Sequence, residues 1–230
     1  MRIFLLCFAS IAFANFTISP FVLELQVSKG ETTGWFEVAN PSPKPTAVEL
    51  IVFERILNLD GKIEDSIPPS KDFVVYPSEL LLRPNARAKV QVTYSGTARV
   101  ESDKAYILQA KEIPLPVPQE DPADRFSLGF STIVAYQPTI ALKTGKPGSL
   151  TFVSSQALDS GKVEVIVENK SHGRVPLDQL YLLIDNKKIT DFTGKSNSIM
   201  PGQKRRFVFK HDKPLKASEI RFGTDGIRNN

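Results

Sequence analysis

"FSLGFSTIVAYQP", Phe126 to Pro138, decides how this chain is read. Phe126, Leu128 and Phe130 alternate with Ser127, Gly129 and Ser131, a period of two that puts the three large side chains on one face of a β-strand. Thr132 and Val134 continue that face, and no charged residue lies between Phe126 and Pro138. Such a stripe either fills the chain's own core or is offered to another chain.

Upstream lies a succession of short strands separated by turn residues. "GWFEVAN" stops at "NPSPKP", a Pro-rich turn. "TAVELIVFERI" is a β-branched run that leads into "NLDGKI", where Asp60-Gly61 predicts a type I′ hairpin. "DFVVYP", "ARAKVQVTYSG" and "KAYILQAKEIP" follow, and in the second of these Val90, Val92 and Tyr94 alternate with Lys89, Gln91 and Thr93. "LPVPQEDPADR" then reads as a loop. About seven short strands in roughly 120 residues, with no useful helical period, predict one immunoglobulin-like sandwich.

After Pro138 the pattern restarts. "TIALKTGKPGS", "SLTFVSSQA", "KVEVIVENKS", "LYLLIDNKKIT", "QKRRFVFKH" and "SEIRFGT" are strand candidates, while "PLDQLYLLI" is readable as strand or helix. The expected fold class is therefore all-β, two immunoglobulin-like β-sandwich domains in tandem. Residues 15–138 form the first and 139–230 a smaller second.

The 230 residues are 41% hydrophobic and 23% charged, enough for such cores. "MRIFLLCFASIAFA" has one positive charge at Arg2, an apolar run, and Ala12-Phe13-Ala14. This pattern predicts a secretory signal, residues 1–14, cleaved after Ala14. The run is shorter than the roughly 20 residues that span a bilayer. Cys7 is the only cysteine, and Leu6 before it is bulky for a lipoprotein site. The mature chain thus has no disulfide, Cys nucleophile or Cys-ligated zinc.

Charge is unevenly divided: 12 Lys+Arg against 16 Asp+Glu from Asn15 to Pro138, and 16 against 9 from Thr139 to Asn230. Lys204, Arg205 and Arg206 are expected to be solvated at a turn and strand entry, with an acidic partner or anionic membrane surface as the alternative. Export and the lack of interleaved aromatics argue against nucleic acid.

No residue pattern points to catalysis. His172 and His211 lie in polar turns without a partner at metal-ligand spacing. Ser171-His172-Gly173 is not a nucleophile elbow, and Asp60, Glu64 and Asp65 have the wrong spacing for a calcium loop. "GKPGS" lacks the ending of a phosphate loop. Asn15-Phe16-Thr17 and Asn169-Lys170-Ser171 match the glycosylation triplet, which is common by chance. No cofactor or metal is assigned, and the chain is not read as an enzyme.

Several segments, in order, resemble the periplasmic chaperones of pilus assembly, the PapD-like family. They are "FEVANPSPKPTAVEL", "ILNLDGKI", "FVVYPSELLLRPNARAKVQVTYSG", "AYILQAKEIP" and "YQP", with looser likeness at "MPGQKRRFVF" and the terminal "FGTDG". The resemblance implies a periplasmic chaperone that lends a strand to pilus or fimbrial subunits lacking one, for delivery to an outer-membrane usher. The partner-binding residues would be Phe126, Leu128, Phe130, Thr132 and Val134, on the strand around Phe126–Tyr136. It also implies that the free protein hides this stripe, by the Pro-rich loop or by self-association. Well-studied members anchor the client's terminal carboxylate with an Arg on the first strand and a Lys on the long strand. Those places fall near Glu24 or Leu25 and near Ile133, none of them basic, so that site is not carried over. The alternative is a secreted structural or adhesive protein of two sandwiches with no client.

Overall fold

Alternating apolar residues become paired strands over most of the chain that the computed structural model describes: residues 15–64, 67–97, 99–115, 134–158, 161–178, 180–194 and 198–224. The first unit contains β1 (Thr17–Ser19), β2 (Val22–Leu25), β3 (Thr33–Ala39), β4 (Thr46–Glu54), β5 (Phe73–Tyr76), β6 (Glu79–Leu82), β7 (Arg87–Tyr94), β8 (Lys104–Ile113), β9 (Ala135–Tyr136) and β10 (Thr139–Leu142). One sheet has the order β1-β3-β7-β5; the other has β2-β10-β8-β4-β6, with β9 also on β8. The period of two aims alternate residues into the space between the sheets. Phe36, Val38, Val48, Leu50, Val52, Val90, Val92, Leu108 and Ala110 meet there, each at most 3% exposed.

The second unit contains β11 (Thr151–Leu158), β12 (Lys162–Glu168), β13 (Val175–Pro176), β14 (Leu180–Ile184), β15 (Lys187–Ile189), β16 (Ser198–Ile199), β17 (Lys204–Lys210) and β18 (Ile220–Thr224). Sheets β11-β12-β17 and β15-β14-β18, with the pair β13-β16, enclose a separate core. Val163, Val165 and Val167 of β12 share that core with Leu182 and with Phe207 on the adjoining strand.

Both units tie a strand end to the turn opposite with a buried asparagine. Asn40, after β3, donates through Nδ2 to the carbonyls of Lys44 (2.8 Å), Leu82 (3.1 Å) and Arg83 (3.2 Å), and Oδ1 accepts the Ser42 N–H (2.9 Å). Asn169, after β12, donates to the carbonyls of Gly173 (2.8 Å) and Ile199 (2.9 Å), and Oδ1 accepts the Ser171 N–H (3.0 Å). Each amide satisfies carbonyls that would otherwise be buried unpaired. The glycosylation triplet at Asn169 is therefore closed in the folded protein.

Four sequence expectations need correction. Thr139–Leu142 is not in the second unit: β10 runs parallel to β2 and antiparallel to β8, and Ile140 and Leu142 lie in the first core. The boundary placed at Pro138 thus falls inside the first sandwich, because pairing with a strand more than a hundred residues away outweighs a local proline. Asp60-Gly61 is not a type I′ turn, since Gly61 (φ 78°) has positive φ and Asp60 does not. Asn58 organises it instead, its Oδ1 accepting the N–H groups of Asp60 and Lys62 (both 3.0 Å). "LYLLIDNKKIT" is two strands, split where Asp185 (φ 49°) and Asn186 (φ 60°) make the left-handed turn. Arg205 is fully buried, not solvated: it shares the inward parity of Phe207 and Phe209 on β17 and donates to the carbonyls of Gly194 (3.1 Å) and Ser198 (3.4 Å).

Replacing Asn169 with alanine removes four hydrogen bonds, one of them from the Ser171 hydroxyl to Oδ1, and strands buried carbonyls. Urea unfolding of Asn169→Ala should show a loss of about 2–4 kcal/mol with an unchanged m-value.

Candidate partner-binding edge

The chain from Val134 to Leu142 lies along β8. Val134 O accepts the Glu112 N–H (3.0 Å), Tyr136 pairs with Ala110, and Pro138 O accepts the Leu108 N–H (2.9 Å). Even-numbered residues therefore bond to β8, while Ala135 and Gln137 turn their backbone groups to the other side. On that side β2 covers only β10, beginning with the Thr139 N–H to Phe21 O bond (2.9 Å). No described strand covers Val134–Gln137 there, so this segment is a sheet edge open to pairing.

Burial along the same segment shows where the first sandwich stops. Leu142 and Ile140 are 1% and 0% exposed, whereas Tyr136 and Val134 are only half-buried. On β8 the core side goes from the fully buried Leu108 and Ala110 to half-buried Glu112, and beyond it Ile113 and Leu115 are exposed. The end is closed by Phe16, whose ring meets Tyr136 edge-on (5.1 Å), and by Asn15, which donates to Glu112 Oε1 (2.8 Å). A carboxylate and an amide thus stand where a continuing core would need apolar side chains.

Of the residues nominated from sequence, Phe126, Leu128, Phe130 and Thr132 lie outside the described residues. Val134 packs in part against the protein's own first core, so its side chain is shared with that sandwich rather than free for a partner. Sequence reading missed Tyr136, Phe16, Glu112 and Asn15, which close the sandwich. The Asn15–Glu112 pair spans 97 positions, and no local period encodes it.

The places aligned with the family's basic anchor are occupied differently. Leu25 is a core residue, Ile133 lies outside the described residues, and Glu24 accepts from Lys143 (2.6 Å) and Arg174 (3.3 Å). The two units are stapled beside it by Asp103. Its Oδ1 accepts the N–H and hydroxyl of Thr144 (both 2.7 Å), and its Oδ2 accepts the Arg174 N–H (3.0 Å). The Asp103 N–H donates to His172 O (2.8 Å). At the other end of the seam, Arg206 N donates to Leu59 O (2.8 Å), and the Arg206 guanidinium pairs with Asp60 (3.3 Å) and Glu164 (2.8 Å). Among the described residues no group of three His, Cys, Asp or Glu gathers at metal-binding distance.

No family model and no curated protein matches the sequence. Solved structures do share the fold. The E. coli chaperone DraB matches with a TM-score of 0.54 over 91% of this chain and 90% of its own, at 17% identity. The Salmonella enterica SafA pilin in complex with the SafB chaperone contains a chain matching with a TM-score of 0.54 over 94% of this chain and 98% of that one, at 14% identity. The CsuC–CsuE chaperone-tip adhesion subunit complex of Acinetobacter baumannii gives 0.52 over 89% and 94%, at 14% identity. This chain has the all-β, two-domain immunoglobulin-like architecture of those chaperones.

If the first core ends at Glu112 and Val134, substitutions on either side of that limit differ in effect. Ile140→Ala should cost about 2–5 kcal/mol in urea unfolding. Leu115→Ser, just past the end of β8, should stay within about 0.5 kcal/mol of the parent.

Proposed function

We propose that this protein is a periplasmic chaperone that captures pilus or fimbrial subunits by donating the strand around Phe126–Tyr136. The observation that carries the reading is the end of the first core at Val134, which in the sequence continues the alternation of Phe126, Leu128, Phe130 and Thr132. A strand rises about 3.3 Å per residue. On this proposal, an extended chain continued along the same line would put Phe130 about 13 Å and Phe126 about 26 Å from Val134. The donated side chains are then Phe126, Leu128 and Phe130, with Thr132 between them and the chaperone's own core and Val134 at the junction.

The energetics favour such a partner. Burying two Phe and one Leu contributes about 1.5–3 kcal/mol each, roughly 5–9 kcal/mol together. Each added backbone hydrogen bond contributes only about 0.5–1.5 kcal/mol net. Side-chain insertion therefore dominates, and it sets register, because a one-residue slip presents Ser127 and Gly129 instead. The open edge at Ala135 and Gln137 supplies pairing of the strand-addition kind. The fold shared with solved chaperones supports this reading, as do the signal pattern ending at Ala14 and the absence of a catalytic constellation in the sequence. Delivery to an outer-membrane usher and self-association of the free protein belong to the same proposal. The domain limits that go with it are 15–142 and 143–230, with the linker after Leu142.

Co-expression with a small exported fimbrial-type subunit encoded beside it should yield a soluble 1:1 complex. Leu128→Asp should abolish co-purification while leaving unfolding free energy within about 0.5 kcal/mol of the parent. A subunit that stays soluble without this protein would favour the client-free structural or adhesive role. A Leu128→Asp chain that is molten by near-UV circular dichroism would place the stripe in the protein's own core.

A further inference from the structure

The sheet β1-β3-β7-β5 has an outer face as well as a core face. β3 buries Gly34, Phe36 and Val38 and turns Thr33 and Trp35 outward, and β5 turns Val74 and Tyr76 outward. Trp35 is the chain's only tryptophan and is 52% exposed; Tyr76 is 74% exposed. β7 lies between their strands, and both residues pair with its Gln91. Adjacent strands stand about 4.8 Å apart, so the Cα atoms of Trp35 and Tyr76 lie about 10 Å apart across the sheet.

The next row along the strands is Thr33, Thr93 and Val74. Polar groups link the two rows. Gln91 Nε2 donates to Thr93 Oγ1 (3.3 Å), and the Thr93 and Thr33 hydroxyls lie 3.2 Å apart. None of these six residues is Asp, Glu, Lys or Arg. Charge begins one step further along β3 and β7, where Glu37 stands opposite Lys89 and pairs with Arg87 (2.8 Å).

Sheet stability does not account for the two rings. An aromatic pair strengthens a sheet when its members are cross-strand neighbours, and these are two strands apart with an amide between them. A protein partner would favour a contiguous apolar patch, whereas rings here alternate with amide and hydroxyl groups. Charge complementarity selects a neutral ligand whose own surface alternates apolar face and polar rim. A pyranose ring has that character: its C–H face packs on an aromatic ring, and its hydroxyls reach polar groups beside it. In an extended β-1,4-linked chain, every second sugar recurs at a spacing close to that of Trp35 and Tyr76. We propose that this face of the first sandwich is a binding platform for an uncharged β-1,4-linked glycan, with Trp35 and Tyr76 each stacking on a sugar and Gln91 and Thr33 engaging hydroxyls between them. The platform lies on the sheet opposite β8 and β9 and uses none of the residues from Phe126 to Tyr136, so its test is independent of strand donation.

All tryptophan emission comes from this face, so the protein is its own probe. Titration of the chain from Asn15 with chitohexaose and with cellohexaose should give a saturable change in that emission. Tyr76→Ala keeps the reporter and should bind about fivefold or more weaker. Its urea midpoint should match the parent's, because the ring it removes is exposed. Chitobiose, too short to span both rings, should bind the parent more weakly than the hexamer. Leu81→Ala, at a 68% exposed position on the other sheet, should bind as the parent does. No saturable response to either hexasaccharide, equal affinity in parent and Tyr76→Ala, or equally tight binding of the coiled, α-linked maltohexaose overturns the proposal. Self-association that Tyr76→Ala abolishes, with no response to sugar, assigns the face to a second copy and overturns it too.

Discussion

The first sandwich closes at Val134 and Glu112, beside an edge that no described strand covers. Backbone bonds to β8 hold the chain from Pro138 back to Val134, and the core thins along it, with Tyr136 and Val134 only partly buried. Phe16 and the Asn15–Glu112 pair close the end. A β-sandwich is stable only where two faces meet, so a strand that outruns its opposing sheet has one apolar face with nothing of its own to bury it. The proposed donation of a strand depends on where that end of the sandwich closes.

The second unit matters because it is fixed to the first. Asp103 is nearly buried and accepts three hydrogen bonds, all from beyond the end of β10. Charge-assisted bonds of this sort are stronger than neutral ones. The Glu24 pairs with Lys143 and Arg174 are more exposed and contribute less. The connection between the units is also tight. A Cβ on Gly148 would lie 2.2 Å from Arg174 O, and one on Gly173 would lie 2.0 Å from Lys146 O, so two stretches of backbone touch there and only glycine fits.

Much of the architecture was legible in local pattern. Val90, Val92 and Tyr94 on β7, and Val163, Val165 and Val167 on β12, alternate as half-buried strands should, and all six are buried. What failed was set by partners far away in sequence. Pro138 reads as a boundary, yet the four residues from Thr139 join β2 and β8. Lys204-Arg205-Arg206 reads as a solvated cluster, yet strand parity sends Arg205 inward, where backbone carbonyls receive it. Asp185-Asn186 was readable as a turn, because both residues tolerate the left-handed conformation, but the apolar run before it masked the break. At the candidate site the stripe from Phe126 was visible and its neighbour Val134 was not distinguished from it. Where the protein's own core ends depends on where the opposite sheet ends, which no local period encodes.

A chain beginning at Asn15 contains no cysteine, so a single introduced thiol can report on the stripe directly. The most direct measurement is the rate at which a thiol reagent modifies Leu128→Cys in the free protein, at a concentration where sedimentation shows a monomer, with Ile140→Cys as the buried reference. The account predicts that the thiol at 128 reacts orders of magnitude faster than the one at 140, and that a bound subunit suppresses its reaction. Equal protection at both positions in the free monomer would mean that the stripe belongs to the protein's own core.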